Sequence, residues 1–419
     1  MSPAPVLMRK TINYDIEALR GFAALFVVWC HTGDPTYRVS PGYLPSGIFS
    51  WVPLGHFCVL LFFVLSGYVI GISTKKPLTL SNSGLYLKKR LVRLMPILLI
   101  TLGLALLASQ ETFDFLTIVG NAALLQGILV TQINLPAWSL HYEMLYYLLF
   151  IPVSIFRVNP YTLTIIAFVV AILNYFLYAK LHTPVITAYG FGFIYWLLGL
   201  GLSRSFAATA VDKPRFQVLL GCLLLVLCVE EYNLFSVVLR RAFSSVGVTF
   251  MFPGNYSPKI AALNLFDLSY LPFALIIIIT FIGKRFPYRL LFLQVLAGIC
   301  AATLLYHVAR SPLPKIAFVQ PALYTLFALV CLLVRSAWLE NAGRHVMRVG
   351  IWLGSLSYGI YLAHFPVMLL FGRITAFSNT WQYFIIRVIL FVLLSVCLGY
   401  ILEKVIQPRV KNLFLLQDS

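Results

Sequence analysis

Charge is scarce in this chain of 419 residues: 11% are Asp, Glu, Lys or Arg, against 61% that are hydrophobic. Soluble globular domains carry about a quarter charged residues, so that class is excluded. Acids are the scarcest, with 13 Asp+Glu against 31 Lys+Arg and a formal net charge of +18. With a mean hydropathy of +0.91, this excess reads as cytoplasmic loops meeting anionic headgroups, and nucleic acid is not expected as a partner. Paired cysteine motifs are missing too. The cysteines at 30, 58, 222, 228, 300, 331 and 397 are odd in number and show no CxxC or Cys/His ligand spacing. They read as buried packing residues, so no disulfide framework and no metal is expected. The opening MSPAPVLMRKTINYD has no secretory apolar region followed by a small-residue cleavage site, so the first apolar run is expected to stay as a span. No internal repeat, low-complexity tract or appended soluble domain is visible, and the longest loop is expected at Glu230 to Asp267.

What the chain does have is long apolar runs. They cover Ile16 to His31, Leu54 to Ile72, Leu91 to Ala108, Trp138 to Phe156, Tyr161 to Ala179 and Val185 to Leu202. They continue at Phe216 to Val229, Leu268 to Gly283, Leu290 to Val308, Ile316 to Val334, Val349 to Phe371 and Tyr383 to Leu402. A span needs about 20 mostly apolar residues. The pattern predicts an all-α, polytopic transmembrane helical bundle of about 10–12 spans. Residues 12–405 are expected to form the membrane-embedded unit, with residues 1–11 and 406–419 as short tails. An N-terminus on the cytoplasmic side places most basic residues there, including Arg9, Lys10 and the group from Lys75 to Arg93, and it puts both termini in the cytoplasm.

An ionisable side chain inside a span costs about 3 kcal/mol on insertion scales, so each one is a functional hypothesis. Arg20 and His31 lie in IEALRGFAALFVVWCH. Eleven helical steps of about 100° return them to nearly one face, about 16 Å apart. The plain alternatives are that Arg20 snorkels or pairs with Glu17, and that His31 sits at the interface. Glu143, in PAWSLHYEMLYY, is the one acid deep in a predicted span. Its expected depth matches that of His31, which suggests a base with an orienting carboxylate. Trp138, Tyr142, Tyr146 and Tyr147 also fit an interfacial aromatic belt. His364 falls in a late span and reads first as a structural histidine bonded to a backbone carbonyl.

In KKRLVRL, Arg90 and Arg93 stand at i, i+3 and share one helical face. They can converge on one phosphate-bearing ligand, or they are ordinary cytoplasmic anchors. Ser66 and Gly67, in FFVLSGYVIG, suit close helix packing.

Together these fragments resemble the acyltransferase 3 family of integral membrane acyltransferases. The resemblance rests on Arg20-x10-His31, on FFVLSGYVI (Phe62 to Ile70), on Arg90-x-x-Arg93, on Trp138, Ser139, Leu140 and Glu143, and on LGSLSYGIYLAHFPV (Leu353 to Val367). It implies transfer of an acyl group, commonly acetyl, from cytoplasmic acyl-CoA to a hydroxyl of a glycan or lipid-linked carbohydrate. For a bacterial chain it implies the inner membrane, with membrane lipids as surroundings. It further implies that Arg20 and His31 are the essential pair, Glu143 the buried acid, and Arg90 and Arg93 the basic donor motif, with Ser66 added here to the donor site.

The chemistry agrees with that implication. Coenzyme A is polyanionic and should seek the arginines, while a neutral histidine can accept a hydroxyl proton and a carboxylate can hold the ring or the acceptor. Arg20 would bind the donor or stabilise the thioester oxyanion. A proton-coupled secondary transporter uses similar buried residues, but the two halves of the chain show no similarity. A scaffold protein would tolerate substitution of Arg20, His31 and Glu143.

Overall fold

A computed structural model describes residues 14–34, 36, 38–127, 129–177, 185–245 and 263–415. The N-terminal tail, with Arg9 and Lys10, and residues 246–262 of the central loop lie outside the described residues. Among those described, the chain is helical, with no strand. The first half comprises α1 (Tyr14–His31), α2 (His56–Ser73), α3 (Leu80–Ala108), the short α4 (Phe115–Ala122), α5 (Trp138–Ile155), α6 (Pro160–Leu177), α7 (Val185–Ser205) and α8 (Phe216–Val229). The second half comprises α9 (Leu234–Ser245), α10 (Leu271–Ile282), α11 (Arg289–Arg310), α12 (Val319–Leu333), α13 (Ala337–Gly354), α14 (Ser357–Arg373), α15 (Trp381–Tyr400) and α16 (Gln407–Leu415).

Every apolar run read from the sequence lies largely within these helices. Nine helices among the described residues are long and apolar enough to cross a membrane, one of them running through α8 and α9 as Phe216–Phe243. The number becomes ten if α13 and α14, bent by 75° at their junction, count as one span. Two helices of matching length, α1 and α5, are absent from that set. Asp15, Glu17 and Arg20 sit in α1, and His141 and Glu143 in α5. Ionisable residues, Arg20 and Glu143 among them, are thus concentrated in these two helices, whereas α2 and α3, which carry Ser66, Arg90 and Arg93, remain apolar enough to span.

α3 differs from expectation at its start. It begins at Leu80, well before the predicted Leu91, because Thr79 and Asn82 form a capping box at its N-terminus. Lys88 and Lys89 therefore project from the same rigid helix as Arg90 and Arg93. At the other end, the expected tail is helical from Gln407, and the Gln407 amide donates to the carbonyl of Val92 on α3 at 2.8 Å.

Small residues set the closest helix crossings. A Cβ added to Gly67 on α2 would lie 1.9 Å from the Trp196 carbonyl oxygen, and one added to Gly199 on α7 would lie 1.9 Å from the Val64 oxygen. The two backbones therefore touch reciprocally, the small-residue packing that lipid-embedded helices use in place of a hydrophobic driving force. α1 and α13 meet similarly, with the Gly354 position 2.0 Å from the Glu17 oxygen. Outward-facing apolar residues, among them Ile165 and Leu173 on α6, Leu291 on α11 and Leu393 on α15, are exposed. In water they would form an apolar surface far beyond what a soluble monomer tolerates, and in a bilayer they face lipid. The protein is an integral membrane helical bundle.

Candidate active site

α1, α2, α3, α5 and α14 enclose a cavity of about 170 Å³. Five of the six candidate site residues line it together: Arg20, Ser66, Arg90, Arg93 and Glu143. They come from four helices, and each is fixed by a partner that the fold supplies.

Glu143 is held by α2 and by its own helix. Its Oε1 accepts a hydrogen bond from Ser66 Oγ at 2.8 Å and another from the Tyr147 hydroxyl. The Trp196 indole N–H, on α7, donates to Ser66 Oγ at 3.3 Å. Ser66 thus serves the acid directly, whereas its neighbour Gly67 serves the packing. Tyr147 stands one turn after Glu143, so its participation was open to a reading at i, i+4 spacing. Tyr142, Tyr146 and Tyr147 are all buried and do not form a lipid-facing belt.

The arginines are anchored in three different ways. Arg20 donates to Glu17 Oε1 at 3.0 Å, the i−3 pairing that the sequence allowed, and it still lines the cavity. Arg93 makes a bidentate pair with Glu403, Nη1 to Oε2 at 2.6 Å and Nη2 to Oε1 at 2.9 Å, and its guanidinium lies 5.3 Å from the Tyr358 ring. Glu403 sits in a π-helical turn, Ile401–Ile406, that continues α15, and such turns are frequent at functional sites. Arg90 rests on the rings of Tyr86 and Tyr147, at 5.3 and 5.6 Å, with Nη2 3.4 Å from Ser73 Oγ. Its Nε is buried without a partner among the described residues.

His31 is placed elsewhere. It does not line the cavity, and no hydrogen bond joins it to Glu143 among the described residues. Similar depth in two helices does not make their side chains face one another: Glu143 turns toward α2, and His31 turns toward α14. Its Nδ1 lies 3.7 Å from Asp34 Oδ2, an ion-pair distance longer than a hydrogen bond. Its ring packs on that of His364 with centroids 5.0 Å apart, and the His364 ring is 6.2 Å from that of Tyr361. Tyr361 lines the cavity and shares a 2.8 Å hydrogen bond with Ser139. His31 therefore stands two rings away from the cavity wall. Beside it, Thr32, Gly33, Asp34 and Arg38 line a cleft of about 20 Å³.

His364 is fully buried, with Nδ1 3.4 Å from the Ile360 carbonyl and Nε2 without a partner among the described residues. A further histidine, His56, binds Asp267 at 2.9 Å and stacks on Trp138. Ser139, Ser357 and Tyr361, quoted from the sequence only as parts of motifs, gain a place on the cavity wall, and Glu403 is added by the fold alone, with no local spacing to announce it 310 positions from its partner. Among the described residues no group of His, Cys, Asp or Glu is arranged to hold a metal ion.

A family model described as an acyltransferase domain, of the acyltransferase 3 type, matches residues 13–308. That match includes Arg20, His31, Ser66, Arg90, Arg93 and Glu143, and it ends before α14 and α15. No curated protein and no solved structure matches the chain.

Proposed function

The chain belongs to the acyltransferase 3 family, and from that premise we propose that it moves an acyl group, acetyl in the simplest case, from cytoplasmic acyl-CoA to a hydroxyl of an extracytoplasmic glycan or lipid-linked carbohydrate. The observation that carries the proposal is the convergence of Arg20, Arg90 and Arg93 with Glu143 and Ser66 on one cavity within an apolar bundle. Three guanidiniums suit a polyanionic donor, whose acyl-pantetheine arm is slender enough to enter. The donor reaches the arginines from the cytoplasm, with both termini on that side and the protein in the bacterial inner membrane.

In this reading His31 is the general base. It takes the acceptor hydroxyl proton as the oxygen attacks the thioester carbonyl. The C–S bond then breaks, and the departing thiolate recovers the proton. Asp34, on the next turn, is the carboxylate near enough to hold the imidazole, and the cleft it lines is the approach for the acceptor. Glu143, bonded to Ser66 and Tyr147, orients substrate within the cavity. Arg20 stands where it can neutralise charge on the donor or on the tetrahedral intermediate.

The test is to incubate membranes containing the protein with labelled acetyl-CoA and to follow label into carbohydrate. Transfer by the wild type and none by a normally inserted His31→Ala variant is expected. Near wild-type transfer by that variant would remove His31 from the reaction.

A further inference from the structure

α13 and α14 are two limbs of a helix pair bent by 75°. The break, at Ser355 and Leu356, creates a helix N-terminus inside the bundle, and Ser357 and Tyr358, the first residues of the 17-residue α14, line the cavity. The opening amides of a helix have no intrahelical acceptor and carry partial positive charge. Ser357 is 2% exposed, and its hydroxyl has no hydrogen-bond partner among the described residues. A buried hydroxyl without a partner is costly unless something else occupies the site. The same space is faced by Arg20, by Arg93 and by Arg90 with its unpartnered Nε. The Tyr358 hydroxyl is already committed to the Leu94 carbonyl at 2.7 Å. The one acid on the lining, Glu143, is engaged by Ser66 and Tyr147.

We propose that the N-terminus of α14, with Ser357 Oγ, is a phosphate-binding subsite that holds a phosphate of the acyl donor. This rests on the donor reading above and adds the place where the anion is gripped. A phosphate offers several acceptor oxygens and accounts at once for the unpartnered hydroxyl and the surrounding guanidiniums, beside the opening amides of α14. The cavity, of about 170 Å³, has room for a phosphate beside several waters.

The full-length protein in detergent tests this by calorimetry with CoA, with inorganic phosphate and with acetyl-pantetheine, which lacks the nucleotide and diphosphate. Ser357→Ala should weaken CoA roughly tenfold, the worth of one hydrogen bond to a charged group, and leave acetyl-pantetheine unchanged. Ser357→Asp is the sharper variant. A carboxylate at a helix N-terminus favours the helix, so thermal stability should hold or rise while CoA and phosphate binding are lost. CoA affinity unchanged in Ser357→Asp would overturn the subsite. Equal loss of turnover with acetyl-CoA and acetyl-pantetheine in Ser357→Ala, at unchanged CoA affinity, would also overturn it and move the hydroxyl to the reacting carbonyl. Phosphatidylglycerol that binds the wild type but not Ser357→Asp, while CoA binds both alike, would give the subsite to a lipid headgroup and overturn the donor assignment. A wild type that binds phosphate but no CoA would fail the donor reading, leaving the anion site itself to stand on the contrast with Ser357→Asp.

Discussion

The arginine side of the cavity and the histidine cluster beside it are built on opposite principles. On the arginine side every guanidinium is tethered: Arg20 to Glu17, Arg93 to Glu403, and Arg90 between two tyrosine rings. A guanidinium has five donors, and a bidentate pair uses only two of them, so tethering leaves capacity for an anion. On the histidine side the contacts are looser. His31 and His364 touch ring to ring, and the nearest carboxylate to His31 is 3.7 Å away. Groups that bind a fixed charge benefit from being held in place, whereas a group that takes and returns a proton needs room to change partners. The same short stretch of helix α1 contributes to both sides, Arg20 to one and His31 to the other.

If the two sides divide binding from chemistry, their variants should separate in kinetics. The largest effect is expected from His31→Ala, a fall of at least about 100-fold in kcat with donor KM little changed, since positioned general bases contribute about that much or more. A matching rise in donor KM would break the division. Arg90→Ala should do the reverse, raising donor KM roughly tenfold with a smaller change in kcat, as expected for loss of a charge-assisted contact. Unchanged CoA affinity by calorimetry would return Arg90 to the role of a cytoplasmic anchor.

Asp34→Asn should lower kcat by up to about tenfold, and in a double-mutant cycle it should couple to His31→Ala, whereas Glu143→Gln combined with His31→Ala should be closer to additive. Coupling of His31 to Glu143 instead would restore the partnership that the sequence suggested. The smallest kinetic effect is expected from Glu403→Gln, a rise of a few-fold in donor KM as Arg93 loses its fixed geometry. Its stability cost should be about 2 kcal/mol, below that of a fully buried pair because the Arg93 side chain is 38% exposed. Thermal unfolding in detergent measures that cost, and an unchanged midpoint would show that the pair contributes nothing to the fold.

The legibility of the site followed distance along the chain. Arg90 and Arg93, three residues apart, were placed on one face by helical geometry and do line one cavity. The Arg20 pairing with Glu17 was equally readable, for the same reason. His31 and Glu143 were matched by depth, which fixes height along a helix but not the direction a side chain faces across the bundle. Arg387 shows the same limit: it is buried in the last long helix and donates to the carbonyls of Val39, Ala376, Phe371 and Ile374. Its span was legible, but the four carbonyls that stabilise it were not.

By itself the sequence determined the solvent and the elements. Low charge and long apolar runs require a bilayer, where the backbone satisfies its hydrogen bonds in helices or closed barrels, and continuous runs of about 20 apolar residues select helices. Local periodicity then determined which charged residues share a helical face. Tertiary structure alone decided which helices touch, because the backbone contacts at Gly67 and Gly199 join residues far apart in the chain. Those contacts gave Glu143 to Ser66, Arg93 to Glu403 and His31 to His364, and they opened the N-terminus of α14 onto the cavity. In an apolar interior a charged side chain settles where a partner is within reach, and reach is a property of the packed bundle.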